Sequence, residues 1–190
     1  MKRCSIAVVL LIAASAVIAQ QAPLTPAEQA LFEAAFSGNL DQVKTLVTDG
    51  TTVDVTSEEQ RTPMMLAAFN GHRHVVGYLL VEGAKVDSRD NAGRTALLYA
   101  SSGPFVETVE VLLDAGAEVD TQGSLEGFTA LMTAAAEGQL EVVRLLIDRG
   151  ADASLQDVDG DTALSFAREK GHSEVIDLLE NLSDPSTGDS

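Results

Sequence analysis

The sequence predicts an all-α solenoid of about five helix-turn-helix repeats joined by short hairpin loops. Three observations carry this expectation. The heptapeptide Thr62-Pro63-Met64-Met65-Leu66-Ala67-Ala68 returns in altered form at Thr95, Thr129 and Thr162, so its threonines stand 33, 34 and 33 residues apart. A glycine follows 21 residues after each of the first three threonines, at Gly83, Gly116 and Gly150, and Gly50 stands one period ahead. An apolar helical face, Val75, Val76, Leu79 and Leu80, recurs as Val142, Val143, Leu145 and Leu146. Units this short cannot bury their own apolar faces, so they must stack.

Each unit reads as two short helices and a turn. Thr62 caps the first helix, and Pro63 occupies its first turn, where a missing N–H is harmless. Ala67 and Ala68 are small enough for a neighbouring helix to approach closely. Gly71 interrupts the chain before the second helix, and Gly83 ends that helix in a left-handed turn. Gly116 belongs to the same class of helix end. Gly116→Val is therefore expected to be far more damaging than Gly138→Ala, which alters only an interhelical turn.

The residues then carry a family resemblance. Gly160-Asp161-Thr162-Ala163-Leu164, Gly71-His72, Gly171-His172, Gly83-Ala84 and Gly150-Ala151-Asp152 match a known pattern. It runs Gly-x-Thr-Pro-Leu-His-x-Ala-Ala-x-x-Gly-His, then Val-Val-x-x-Leu-Leu and Gly-Ala. Residues 27–182 resemble the ankyrin repeat over nearly their whole length. The resemblance divides the chain into an N-terminal capping repeat (27–58), three repeats (59–91, 92–125 and 126–158) and a C-terminal capping repeat (159–182).

The departures from the pattern are informative. The first unit has Gln29-Ala30-Leu31-Phe32 where Thr-Pro is expected. Gln60 stands where a turn glycine is expected, which predicts an irregular first fingertip. Gly103-Pro104-Phe105 replaces Gly-His in the third unit and predicts a reshaped turn, because proline lacks the N–H. The Gly123-Ser124-Leu125-Glu126-Gly127 hairpin is one residue longer than its counterparts.

The ends fall outside the repeats. Lys2 and Arg3, the uncharged run Ser5 to Ala19 and the Val17-Ile18-Ala19 site read as a secretory signal peptide over residues 1–19. A run of fifteen residues is short of the roughly 20 that span a bilayer. The expected mature chain starts near Gln20, in the periplasm or secreted, with no stable membrane insertion. Residues 20–26 read as a linker, and residues 183–190 as a disordered polar tail. Cys4 is the only cysteine and lies in the signal, so a mature chain holds no disulfide, thiol nucleophile or Cys-ligated metal.

Composition narrows the partner. The chain has 190 residues, 45% of them apolar and only 4% aromatic, which calls for an aliphatic core in a single domain. Its 29 acids against 12 bases give a net charge of −17, which opposes nucleic-acid binding. Removing Lys2 and Arg3 with the signal leaves two fewer positive charges, or −19. The acidity serves either solubility or attraction of a basic partner, and both readings stand.

No catalytic constellation is visible. Of three histidines, His72 and His172 occupy the repeat's own Gly-His position, and His74 lies two residues from His72 and so points elsewhere. Asp157-Val158-Asp159-Gly160-Asp161 resembles a calcium loop, but its glycine comes early and Arg168 stands where a bidentate Glu is needed. Asn181-Leu182-Ser183 is a formal glycosylation sequon. No nucleophile–base pair or phosphate loop is present, so the chain reads as neither an enzyme nor a holder of cofactors or metals.

The ankyrin resemblance implies a monomeric module that binds another protein through a concave groove. The alternative is an acidic protective or inhibitory factor for a basic exported enzyme or toxin. The resemblance places Phe36, Leu66, Phe69, Tyr99, Ser102, Thr133, Ala136, Phe166 and Glu169 on the groove face, with Leu31, Met64, Leu97, Leu131 and Leu164 in the core. It therefore implies an exposed apolar stripe of Phe36, Leu66, Phe69, Tyr99 and Phe166, joined by Phe128. Arg61, Arg89 and Arg94 would make one end basic, and Asp157, Asp159 and Asp161 the other end acidic.

Overall fold

The computed structural model describes residues 23–183. The signal segment 1–19, the start of the 20–26 linker and the tail beyond Ser183 lie outside the described residues. Ten helices run through the described part in five consecutive pairs. These are α1 (Pro26–Ser37) with α2 (Leu40–Thr48), α3 (Pro63–Phe69) with α4 (Arg73–Val81), and α5 (Ala96–Ala100) with α6 (Val106–Asp114). The last two pairs are α7 (Ala130–Ala136) with α8 (Leu140–Asp148), and α9 (Ala163–Lys170) with α10 (Ser173–Ser183). The first helices pack one on the next in an inner row, and the second helices form an outer row behind them. Four loops, here called fingers, connect each pair to the next.

Threonine caps set the helix starts. Oγ1 of Thr62, Thr129 and Thr162 accepts from the backbone N–H three residues on, at 3.2–3.3 Å. The Thr-Pro signal missing from the first unit stands one turn upstream, at Thr25-Pro26. Thr25 Oγ1 accepts from the Glu28 N–H at 3.2 Å, and Glu28 Oε2 accepts from the Thr25 N–H at 2.7 Å. α1 is consequently 12 residues long, against seven in α3.

The core is aliphatic, as composition requires. Leu31, Met64, Leu97 and Leu131 are buried from the inner row, and Val75, Val76, Leu79, Val142, Val143 and Leu146 from the outer row. Leu164 departs from expectation: it is half-buried at the edge of the core, where the stack ends.

Two ladders tie neighbouring units together. Oδ1 of Asp54, Asp87 and Asp120 accepts the backbone N–H of Lys85, Glu118 and Asp152 respectively, at 3.0–3.1 Å. Fingertips are joined by backbone bonds from Asn91 N to Glu59 O, Ser124 N to Ala92 O and Val158 N to Glu126 O, at 2.8–3.1 Å. Part of the acidity is therefore used inside the fold, where carboxylates satisfy loop N–H groups.

The first fingertip is not irregular. Gln60 adopts φ 60°, close to Gly93 at 74° and Gly160 at 85°, and is the one non-glycine with positive φ among the described residues. Its N–H donates to Ser57 O at 2.9 Å, as Gly93 donates to Asp90 O at 2.8 Å. The turn is kept and the strain falls on the side chain. Gln60→Gly should stabilise the protein by about 1 kcal/mol, the usual cost of a left-handed residue bearing a Cβ. An unchanged or lower urea midpoint would show the position to be unstrained.

The third interhelical turn is reshaped, as Pro104 predicts. Pro104 stands where Gly71, Gly138 and Gly171 take φ of 69–77°, a conformation closed to proline. α5 is cut to five residues, and the buried Thr95 hydroxyl that should cap it has no partner. Its packing on α7 is the least extensive in the inner row.

Candidate functional site

The face built from the first helices and the fingers carries the residues singled out by sequence. Phe36, at the end of α1, is 51% exposed. Its carbonyl is held by Asn70 Nδ2 at 2.8 Å and His72 Nε2 at 3.0 Å, so its position is fixed although its ring is free. Leu66 and Phe69, on α3, are half-buried, as is Phe128, while Glu169 is exposed.

Tyr99 and Phe166 do not belong to the exposed stripe. They are only 3% and 7% exposed, and Thr133 and Ala136 beside them are 4% exposed. The cause is a finger side chain lying over each ring: Arg94 from the same unit for Tyr99, and Phe128 from the preceding unit for Phe166. The Arg94 guanidinium lies 5.1 Å from the centre of the Tyr99 ring. Phe128 meets Phe166 edge-on at 5.1 Å, and Phe69 meets Tyr99 edge-on at 6.2 Å. The stripe is therefore short: Phe36, Leu66 and Phe69 lie on the first two inner helices.

The basic end also contracts. Arg94 is not free, because Asp90 engages it through Nε at 2.8 Å and Nη2 at 2.7 Å. The Asp90 carboxylate, 1% exposed, also accepts from the backbone N–H of Ala92 and Arg94 at 2.9 Å and from the Tyr99 hydroxyl at 2.7 Å. Burial, then the negative charge of Asp90, pushes the Tyr99 phenol well above its ordinary value near 10. The folded phenol thus keeps its proton while an unfolded one loses it, so this contribution to stability is full below pH 10 and declines in alkali above it. Sequence reasoning missed the network; its signal was Asp90 and Arg94 four residues apart across one turn.

Arg61 and Arg89 remain available. Arg89 is exposed and donates to Gln122 O at 3.3 Å. Arg61 is half-buried, and its Nε has no partner. At the other end, Asp157 Oδ1 accepts the N–H of Asp159 and Asp161 at 2.8–2.9 Å, so this acid shapes its own fingertip. Within the third and fourth fingers, the stretches 117–129 and 151–162 contain no Lys or Arg. Their tips present Leu125 and Val158, 63% and 69% exposed.

His72 and His172 are structural. The imidazoles of His72 and His172 sit against Gly38 and Gly138, and His172 Nε2 meets Ala136 O at 3.1 Å. The Phe105 ring takes the same seat against Gly71. Among the described residues no group of three or more His, Cys, Asp or Glu could hold a metal, and no helix is long and apolar enough to cross a membrane.

A family model for ankyrin repeats, in three copies, matches residues 31–123 and 105–189. Comparison with curated proteins gives no match.

Proposed function

We propose, from the premise that the chain belongs to the ankyrin-repeat family, that it is a non-catalytic module whose concave groove binds a partner protein. Ankyrin repeats are in general protein–protein interaction modules. The observation that carries the groove reading is Phe36, half-exposed on a backbone pinned by Asn70 and His72, with Leu66 and Phe69 beside it. A rigidly presented aromatic bordered by apolar side chains is the usual chemistry of an interface hot spot.

Site-specific photo-crosslinking tests this reading. A photoreactive phenylalanine at position 36 should give one dominant adduct with a native partner. The same group at Val81, 83% exposed on the outer row, should give none. An adduct from position 81 and none from position 36 would place the interface on the outer row.

A second reading, the acidic protective or inhibitory factor, is favoured by the net charge of −17 and by the cation-free stretches 117–129 and 151–162 of the last two fingers. Charge-led binding weakens steeply as the Debye length falls from about 10 Å at 0.1 M salt to about 3 Å at 1 M, whereas groove-led binding holds. We further propose that the chain is exported and cleaved near Gln20. The mass of the exported protein should correspond to a start there; an intact Met1 or an intact Ser5–Ala19 segment would refute it.

A further inference from the structure

At the N-terminal end of the groove, α1 and the first finger border an open cleft of about 340 Å³. Phe32 and Leu66 supply apolar surface, Leu24 closes one side, and Arg61, Glu33 and Glu59 also line it. Its size lies at the lower end for ligand pockets. That is room for one aliphatic side chain with the backbone on either side.

The three charges differ in what they lack. Glu59 accepts from Ser57 Oγ at 2.9 Å, and Glu33 is exposed on α1. The Arg61 Nε–H is buried without an acceptor, and no described residue offers its guanidinium a hydrogen bond or ion pair. A buried N–H left unpaired is unfavourable, and an arriving acceptor relieves it when the side chain turns to meet it. With one cation against two anions in the cleft, on a chain of charge −17, an incoming carboxylate is opposed. A neutral carbonyl accompanied by a positive side chain is not.

We propose that this cleft seats an extended segment of a basic partner protein. An aliphatic side chain rests on Phe32 and Leu66, an adjacent lysine or arginine faces Glu33 and Glu59, and a main-chain carbonyl accepts from Arg61. The inference rests on the groove reading and gives that groove a partner chemistry.

The test uses capped tripeptides, acetyl-Lys-Leu-Lys-amide against acetyl-Glu-Leu-Glu-amide and acetyl-Lys-Ser-Lys-amide, titrated into the purified protein and followed by NMR. Acetyl-Lys-Leu-Lys-amide should shift the Leu24 and Leu66 methyls and the Arg61 Nε–H saturably, in the millimolar range. Its affinity should fall about tenfold against Glu33→Gln with Glu59→Gln. Both substitutions are on side chains outside the core, and an unchanged amide spectrum elsewhere verifies the fold. Equal or tighter binding of the acidic peptide, undiminished binding of the serine peptide, or no saturable shift overturns the proposal. So do cleft signals that move with protein concentration, which mean a second copy, and contacts from residues 20–22 to Leu66, which mean the chain's own N-terminal segment. Crosslinking at position 36 uses no tripeptide, so the two failures separate. Crosslinking that succeeds beside a silent cleft removes this inference alone.

Discussion

Replacing Asp90 by Ala is expected to destabilise the protein by about 3–5 kcal/mol, the cost of stripping a buried ion pair of one partner. The carboxylate is 1% exposed and serves four groups: the Ala92 and Arg94 backbone N–H, the Arg94 guanidinium and the Tyr99 hydroxyl. Alanine leaves all four unpaired in the second finger, with the Arg94 side chain only 18% exposed. The cost therefore exceeds that of any exposed pair, which is worth about 0–1 kcal/mol. The Arg168–Glu180 bridge, with side chains 59% and 47% exposed, provides that comparison: Glu180→Ala should move the urea midpoint little. Asp90→Asn keeps an acceptor oxygen and loses the charge, so it should fall between. A loss under about 1 kcal/mol for Asp90→Ala would mean that water replaces the carboxylate in the finger.

Gly138→Ala is expected to cost about 2–4 kcal/mol, against about 1–2 kcal/mol for Gly116→Ala, so the turn glycine is the more sensitive of the two to the same substitution. Both residues have positive φ, 69° and 88°, so each suffers when a Cβ is added. The difference lies in their surroundings. A Cβ on Gly116 would meet nothing within 4 Å, whereas one on Gly138 would lie 2.5 Å from His172 Nδ1. The imidazole must then leave its seat and give up its bond to Ala136 O at 3.1 Å. Urea melts of the two variants decide the matter. Equal losses would mean that the ring swings aside freely and that its hydrogen bond adds little.

What sequence made legible was whatever repeats. The threonine period gave the helix starts, the glycines gave the helix ends, and Leu31, Leu97 and Leu131 could be placed in the core from one unit's register. Thr25-Pro26 escaped because α1 begins a full turn early, so a 33-residue comparison passes over it. The sequence puts Tyr99 and Phe166 on the correct helices but at the wrong depth. Their burial depends on Arg94 and Phe128 folding across them, a long-range packing event with no periodic trace. Gln60 shows the converse: an unsuitable residue obeys the turn because the neighbouring bonds impose it. The Asp54, Asp87 and Asp120 ladder was present in the sequence at the 33-residue spacing, hidden by the abundance of acids.

The shortened α5 bears on cooperativity. Units in a stack touch only their neighbours, so the coupling that makes the molecule unfold as one passes through each joint in series. At the α5–α7 joint the inner row packs least. The outer row is bridged there by Arg149 to Asp114 at 2.7 Å and to Glu110 at 3.5 Å, pairs with exposed acids that salt weakens. The first three helix pairs and the last two are thus expected to open with different free energies in native-state hydrogen exchange, as separate foldons. A partner lying along the groove across this joint would weld the two foldons into one. Its binding would register as sharper, single-step unfolding as well as greater stability.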